Sequence, residues 1–274
     1  MSELIWDRFE SPDLERAKQL FAQAVESSRD QGQVPVWSWE SLMENRPEVQ
    51  RQRAENLKAV FGSCRIIATI RHPVKLMESL YLQLLRRDNI GSKARLGHPP
   101  RFETIDQWIT RNWDRVGDAP KSQLEYFQAI EIFADVFGEE NIGVFLFEQL
   151  LRHPHEYYSG ICEFMGISSE EGVNLCEGQR ENQRWTRQQV ERLRVIQSSP
   201  LSTTLFRYSP VPLRRWLLRD RPHSNKSPGK QEKPLAQASM SDDLKQQIYD
   251  KTRLGNRRLM ERWKLPLDEF QYPI

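Results

Sequence analysis

The sequence predicts a helix-rich α/β fold built on a small parallel sheet flanked by helices. Three observations lead there. Ile66-Ile67-Ala68-Thr69-Ile70 and Val144-Phe145-Leu146-Phe147 are strand-length apolar runs. The first, taken from Arg65 to Arg71, is continuously apolar or β-branched inside, the pattern of a parallel strand covered on both faces. Segments with helical spacing lie before, between and after the two runs, as strands joined by helical crossovers require. No internal repeat is visible, and residues 1–274 read as a single domain.

The elements follow in order. Ser11-Pro12-Asp13 opens a helix over 12–29, with Asp13 and Glu15 at the positive end of its dipole and Leu14, Ala17, Leu20, Phe21, Ala24 and Val25 at helical spacing. Val34-Pro35-Val36-Trp37 reads as a short edge-type extended segment, since proline donates nothing to a ladder. A charged helix at 47–61 stops at Gly62. The strand through Ile66–Ile70 breaks at His72-Pro73, and a helix over 74–87 buries Leu76, Met77, Leu80, Tyr81, Leu84 and Leu85. Residues 88–101 form a loop punctuated by Gly and Pro. Helices at 103–113 and 120–137 precede a second strand, Asn141 to Phe147. Further helices are expected at 154–165, 186–197 and 241–262, with a polar, Pro-bearing and mobile stretch at 221–241 and an extended tail.

Composition bounds the function. Leu, Ile, Val and Phe number 68 of 274 residues, enough for a core, while 28% charged residues and a mean hydropathy of -0.71 describe a wet surface. Forty basic residues against 38 acidic ones leave +2, too even a balance for a nucleic-acid coat, so no nucleic-acid partner is expected. The apolar runs are far shorter than a membrane span, and MSELIWDRFE has no secretory h-region. Cys64, Cys162 and Cys176 lack metal-ligand spacing and fit a reducing cytoplasmic compartment. His153 and His155 have no third ligand nearby in sequence and read as solvated, so no metal is expected.

The first strand delivers Arg71 to the carboxyl edge of a parallel sheet, where open α/β sheets bind ligands. The helix after Pro73 turns its free N–H groups towards the same crevice, which favours an anion. Ser79, eight residues beyond Arg71, can donate a hydroxyl to a phosphate oxygen, and Arg offers a permanently charged bidentate fork. On these residues alone a second reading stands beside the first: Arg71 paired with a surface carboxylate, and Ser79 chosen for packing.

Arg71-His72-Pro73 followed by Ser79 and Tyr81 resembles the R-x-P…S-x-Y element of sulfotransferases that use 3′-phosphoadenosine 5′-phosphosulfate. Further features fall in that family's order. Phe137-Gly138-Glu139-Glu140-Asn141-Ile142 leads into a strand ending Phe147-Glu148-Gln149-Leu150, and Cys162-Glu163-Phe164-Met165-Gly166-Ile167 is similar to the family's "FLG" helix ending. Asn256-Arg257-Arg258-Leu259 and the stretch from Leu267-Asp268 to Tyr272-Pro273 resemble its tail in bacterial members. The resemblance covers residues 34–167 and 242–274.

It implies a P-loop-NTPase-like sulfotransferase fold, the phosphosulfate nucleotide as co-substrate and a small-molecule or glycan acceptor, with Arg71 and Ser79 binding the 3′-phosphate. It leaves the oligomeric state open. Trp37-Ser38-Trp39-Glu40 resembles the strand whose carboxylate, in some branches, is the general base; the other reading makes Glu40 a surface or helix-start charge. His72 sits where the family varies and reads as a loop histidine.

One departure stands out. The family's P-K-x-G-T-T phosphosulfate loop has no counterpart; the Gly229-Lys230 pair follows no strand. The expectation is that this loop and its strand lie upstream of residue 1. The alternative is a degenerate, non-catalytic module that binds an anionic nucleotide or glycan. A P-loop kinase is not supported, because no G-x-x-x-x-G-K-[ST] occurs. From Arg207 to Lys233, eight basic residues and two acids interleave with Tyr208 and Trp216; a solvated amphipathic segment is the favoured reading over a phosphate or glycan grip. Trp37, Trp39, Trp108 and Trp113 read as packing residues rather than a sugar platform.

Overall fold

The structure, a computed structural model, describes residues 13–39, 42, 46–90, 102–114, 120–176, 185–219 and 238–274. In chain order the helices and strands are α1 (Leu14–Asp30), α2 (Pro47–Phe61), β1 (Ile66–Ile70), α3 (Pro73–Ile90), α4 (Ile105–Asn112), α5 (Pro120–Gln123) and α6 (Tyr126–Phe137). A 3-10 turn, Glu139–Asn141, precedes β2 (Ile142–Leu146). Then come α7 (Phe147–Arg152), α8 (Pro154–Met165), α9 (Ser169–Cys176), α10 (Arg187–Ile196), α11 (Pro200–Tyr208), α12 (Val211–Leu217) and α13 (Asp242–Trp263). Among the described residues the sheet is the parallel pair β1–β2, in register from Ile66 opposite Ile142 to Ile70 opposite Leu146. The chain divides into two compact units: Met1–Pro73, Trp113–Gly178 and Ile248–Ile274 make the first, Val74–Asn112 and Gln179–Gln247 the second.

In the first unit, Ile66, Ala68 and Ile70 of β1 and Ile142 and Leu146 of β2 pack with Leu57 and Val60 of α2, Ile130, Phe133 and Phe137 of α6, and Leu259 of α13. Each fully buried large side chain contributes about 1.5–3 kcal/mol of transfer free energy. The tail adds Leu265, Leu267, Phe270 and Tyr272 to the same core. In the second unit, Trp185, Leu193, Phe206 and Leu218 form a smaller buried cluster under α10, α11 and α12.

β1 is not covered on both faces as its apolar run predicts. Ile66, Ala68 and Ile70 are buried, whereas Ile67 and Thr69 on the other face are exposed. That second face is covered mainly over β2, where α8 lays Phe164 and Tyr157 against Phe145. Gly143 is a requirement of this contact, because a Cβ there would lie 2.8 Å from the Phe164 ring and 2.9 Å from that of Phe145. Tyr157 reaches across to β1, its hydroxyl 2.8 Å from Thr69 Oγ1.

Other boundaries shift for local reasons. α1 begins at Leu14, with Asp13 as its cap accepting from the Arg16 amide at 3.0 Å. α3 runs to Ile90, three residues into the expected loop. The helix expected over 120–137 is two, separated where Leu124 is buried and Glu125 takes φ -88°, ψ 49°. Residues 33–39 belong to no strand; Trp37 packs on Phe61 (5.7 Å) and Trp39 (5.8 Å) instead. The 221–237 part of the stretch expected to be mobile lies outside the described residues.

Candidate functional site

β1 and β2 end together, with Ile70 opposite Leu146, so the residues that follow, Arg71 and Phe147, leave the sheet side by side. The Arg71 guanidinium carbon stands 4.4 Å from the centre of the Phe147 ring. Such a contact is worth about 0.5–2 kcal/mol and holds the guanidinium at the end of the sheet. The N–H donors of a guanidinium lie in its plane, which is the direction from which a phosphate or carboxylate is gripped.

Glu148, the second residue of α7, organises the same edge. Its Oε1 accepts from the backbone N–H of His72 at 3.0 Å and its Oε2 from the Tyr272 hydroxyl at 2.7 Å. The β1–α3 turn is thereby tied to β2 and to the tail through one carboxylate, and hydrogen bonds to a charged acceptor are the stronger kind. His72 Nε2 lies 3.0 Å from the Gln271 carbonyl. A carbonyl only accepts, so Nε2 carries the proton. The imidazole packs edge-on against Tyr272 (5.4 Å) and Tyr249 (6.2 Å). Gln271 holds a left-handed φ of 59°, a strained conformation for a residue with a side chain, and presents its carbonyl to His72.

Two tyrosines of this cluster are held strongly in the neutral form. Burial raises the Tyr272 hydroxyl far above the ordinary tyrosine range, and the negative charge of Glu148 raises it further, with Arg71 opposing. Tyr126 keeps part of its ring at the surface, but its hydroxyl is buried and accepts from the Arg71 backbone N–H; burial again dominates an upward shift. The edge is therefore one permanent cation and one carboxylate framed by phenols that do not ionise at neutral pH. It can hold an anion against Arg71 and fix the turn that carries it.

Of the residues singled out from sequence, Arg71 stands in this cluster, half-buried. Ser79 belongs to the second unit, half-buried on α3. Tyr81 of the same motif is buried, its hydroxyl donating to the Glu103 carbonyl at 2.5 Å and raised in pKa chiefly by burial, so it anchors the approach to α4. Glu40 lies outside the described residues. His72, read as a loop histidine, is part of the network. Trp37, Trp39, Trp108 and Trp113 are half-buried, and Trp108 packs 6.0 Å from Tyr81.

Sequence reasoning assigned no role to Phe147, Glu148, Tyr126 or Tyr272. The first two had a usable signal, since in-register parallel strands place the residues after their ends together. Tyr126 and Tyr272 come from a helix start and a tail, and local pattern carries nothing about them.

Among the described residues, no group of three or more His, Cys, Asp or Glu side chains could hold a metal ion, and no helix is long and apolar enough to cross a membrane. No family model matches the chain, and no curated protein does. Among solved structures, the crystal structure of a sulfotransferase from Alicyclobacillus acidocaldarius is similar, with 19% sequence identity over 62% of this chain and 69% of that one and a TM-score of 0.45. A likeness at that level bears on no residue's role here.

Proposed function

We propose that the protein is a sulfotransferase, taking a sulfuryl group from 3′-phosphoadenosine 5′-phosphosulfate to an acceptor hydroxyl or amine. The observation that carries this reading is Arg71: a permanent cation one residue past a parallel strand, packed against the Phe147 ring, in the R-x-P…S-x-Y context. The donor set fits a phosphate monoester, which two in-plane N–H groups match bidentately. Ser79 is proposed to add a hydroxyl to the same phosphate. Glu148, already engaged by two neutral donors, holds the turn rather than the ligand.

The nucleotide supplies the activated sulfuryl group, and the protein's part is positioning and charge stabilisation, as in phosphoryl transfer. Glu40 is proposed as the base that takes the acceptor's proton as the new bond to sulfur forms. The acceptor is proposed to be a small molecule or a glycan.

The test is direct. Purified protein is incubated with the sulfur-labelled donor and a panel of phenol, sugar and amine acceptors, and label transfer is measured alongside release of 3′,5′-adenosine bisphosphate. Transfer in step with release, depressed in Arg71→Ala and abolished in Glu40→Gln, supports the proposal. Nucleotide binding with no transfer to any acceptor would instead support a non-catalytic anion-binding module.

A further inference from the structure

α11 carries its apolar stripe on the solvent side. Leu201, Leu205 and Tyr208 follow i, i+4, i+7 spacing and are 72%, 66% and 76% exposed, while the inward face is Thr203 and Phe206. α12 repeats the arrangement: Leu213 and Trp216 are 44% and 62% exposed, and Arg214 and, one residue past the helix end, Leu218 are buried. Phe206 and Leu218 share one buried cluster with Trp185 and Leu193. The inward faces of both helices therefore rest on one core, and their outward faces lie on its solvent side. Arg214 Nη1 donates to the Asn89 carbonyl at 2.9 Å from a buried position, which fixes α12 in this orientation. Single exposed leucines need no explanation, but a run of large apolar residues on two successive helices marks an interaction site.

Charge selects the occupant. From Arg192 to Arg219 the chain carries six arginines and no acidic residue. Of these, Arg194 on α10, Arg215 on α12 and Arg219 just past its end are exposed. We propose that α11 and α12 are a docking surface for an anionic phospholipid bilayer. Leucines enter the boundary between headgroups and acyl chains, Tyr208 and Trp216 sit at headgroup depth, and the arginines meet lipid phosphates. An acidic protein would satisfy the arginines alone. A bilayer offers anions and hydrocarbon in one surface, which is the combination these helices present. The proposal does not depend on sulfuryl transfer.

The experiment is vesicle co-sedimentation of the full chain. Wild type should pellet with phosphatidylcholine–phosphatidylglycerol vesicles and stay in solution with phosphatidylcholine alone. Leu205→Ser/Trp216→Ser should weaken partitioning at least about tenfold, because binding scales with the apolar area buried in the interface. Arg215→Gln/Arg219→Gln should weaken it and flatten its salt dependence. All four side chains are exposed, and matching circular dichroism melts confirm intact folding. No partitioning of wild type, or equal partitioning to neutral and anionic vesicles, overturns the proposal. So does retention of both wild type and Leu205→Ser/Trp216→Ser on polyglutamate resin with no difference on vesicles, which would mark a purely electrostatic protein-binding face.

Discussion

Glu148 gives one carboxylate oxygen to the His72 amide and the other to the Tyr272 hydroxyl, both donors lying beside Arg71. In Glu148→Gln the amide oxygen accepts from one of the two donors without a charge, and the NH2 faces the other, so two charge-assisted bonds give way to weaker neutral ones. The expected cost is about 1–3 kcal/mol, read as a lower urea midpoint with unchanged slope. Tyr272 and Tyr126 make a second residue-level prediction, through pH. Their folded-state pKa values lie above the unfolded value of about 10, so the native state holds protons that the unfolded state releases. Their contribution is intact below about pH 10 and is lost as pH rises further, by up to about 1.4 kcal/mol per pH unit for each group. Urea titrations at alkaline pH should show that fall, and Tyr272→Phe should reduce its steepness.

At the scale of elements, Gly143 is where two aromatic rings close on the sheet. Gly143→Ala pushes a methyl into the Phe164 and Phe145 rings, and the expected loss is about 1–3 kcal/mol by overpacking, measurable by urea denaturation. α10 is capped by Thr186, whose side chain accepts from the Gln189 amide while Gln189 returns a bond to the Thr186 N–H. Thr186→Ala should cost about 1 kcal/mol in the same measurement. Elements with such local punctuation were legible. Pro47 and Gly62 bound α2, and Pro154 and Gly166 bound α8, at the residues the sequence predicts. The α5–α6 break was not legible, because nothing local interrupts the helical spacing. Burial of Leu124 and the Lys251–Glu125 ion pair, both tertiary, favour the break instead. α11 and α12 escaped for a related reason: their apolar stripe faces solvent, so it reports no core.

For the whole molecule, a division into two units leaves no trace in composition, since the second is assembled from segments far apart in the chain. Within the site, the cation was legible because a strand end is legible, whereas its phenolic frame came from residues 126 and 272, which only the fold brings near. Among the described residues, the first unit surrounds β1 and β2 with a large core, while α10–α12 rest on the smaller cluster of Trp185, Leu193, Phe206 and Leu218. Native-state hydrogen exchange should therefore protect the amides of Ile66–Ile70 and Ile142–Leu146 longer than those of Arg187–Leu217. The reverse order would mean that the smaller cluster is the more stable. The function proposed for the molecule rests on Arg71 meeting a phosphate ester, and calorimetric titration with 3′,5′-adenosine bisphosphate reads that contact in isolation. Wild type should bind, and Arg71→Ala should bind more weakly by about 1.5–3 kcal/mol, the worth of a hydrogen bond to a charged group. Arg71→Lys should fall between them, because it keeps the charge and loses the fork. Equal affinity in wild type and Arg71→Ala, or no binding to either, would contradict the proposal.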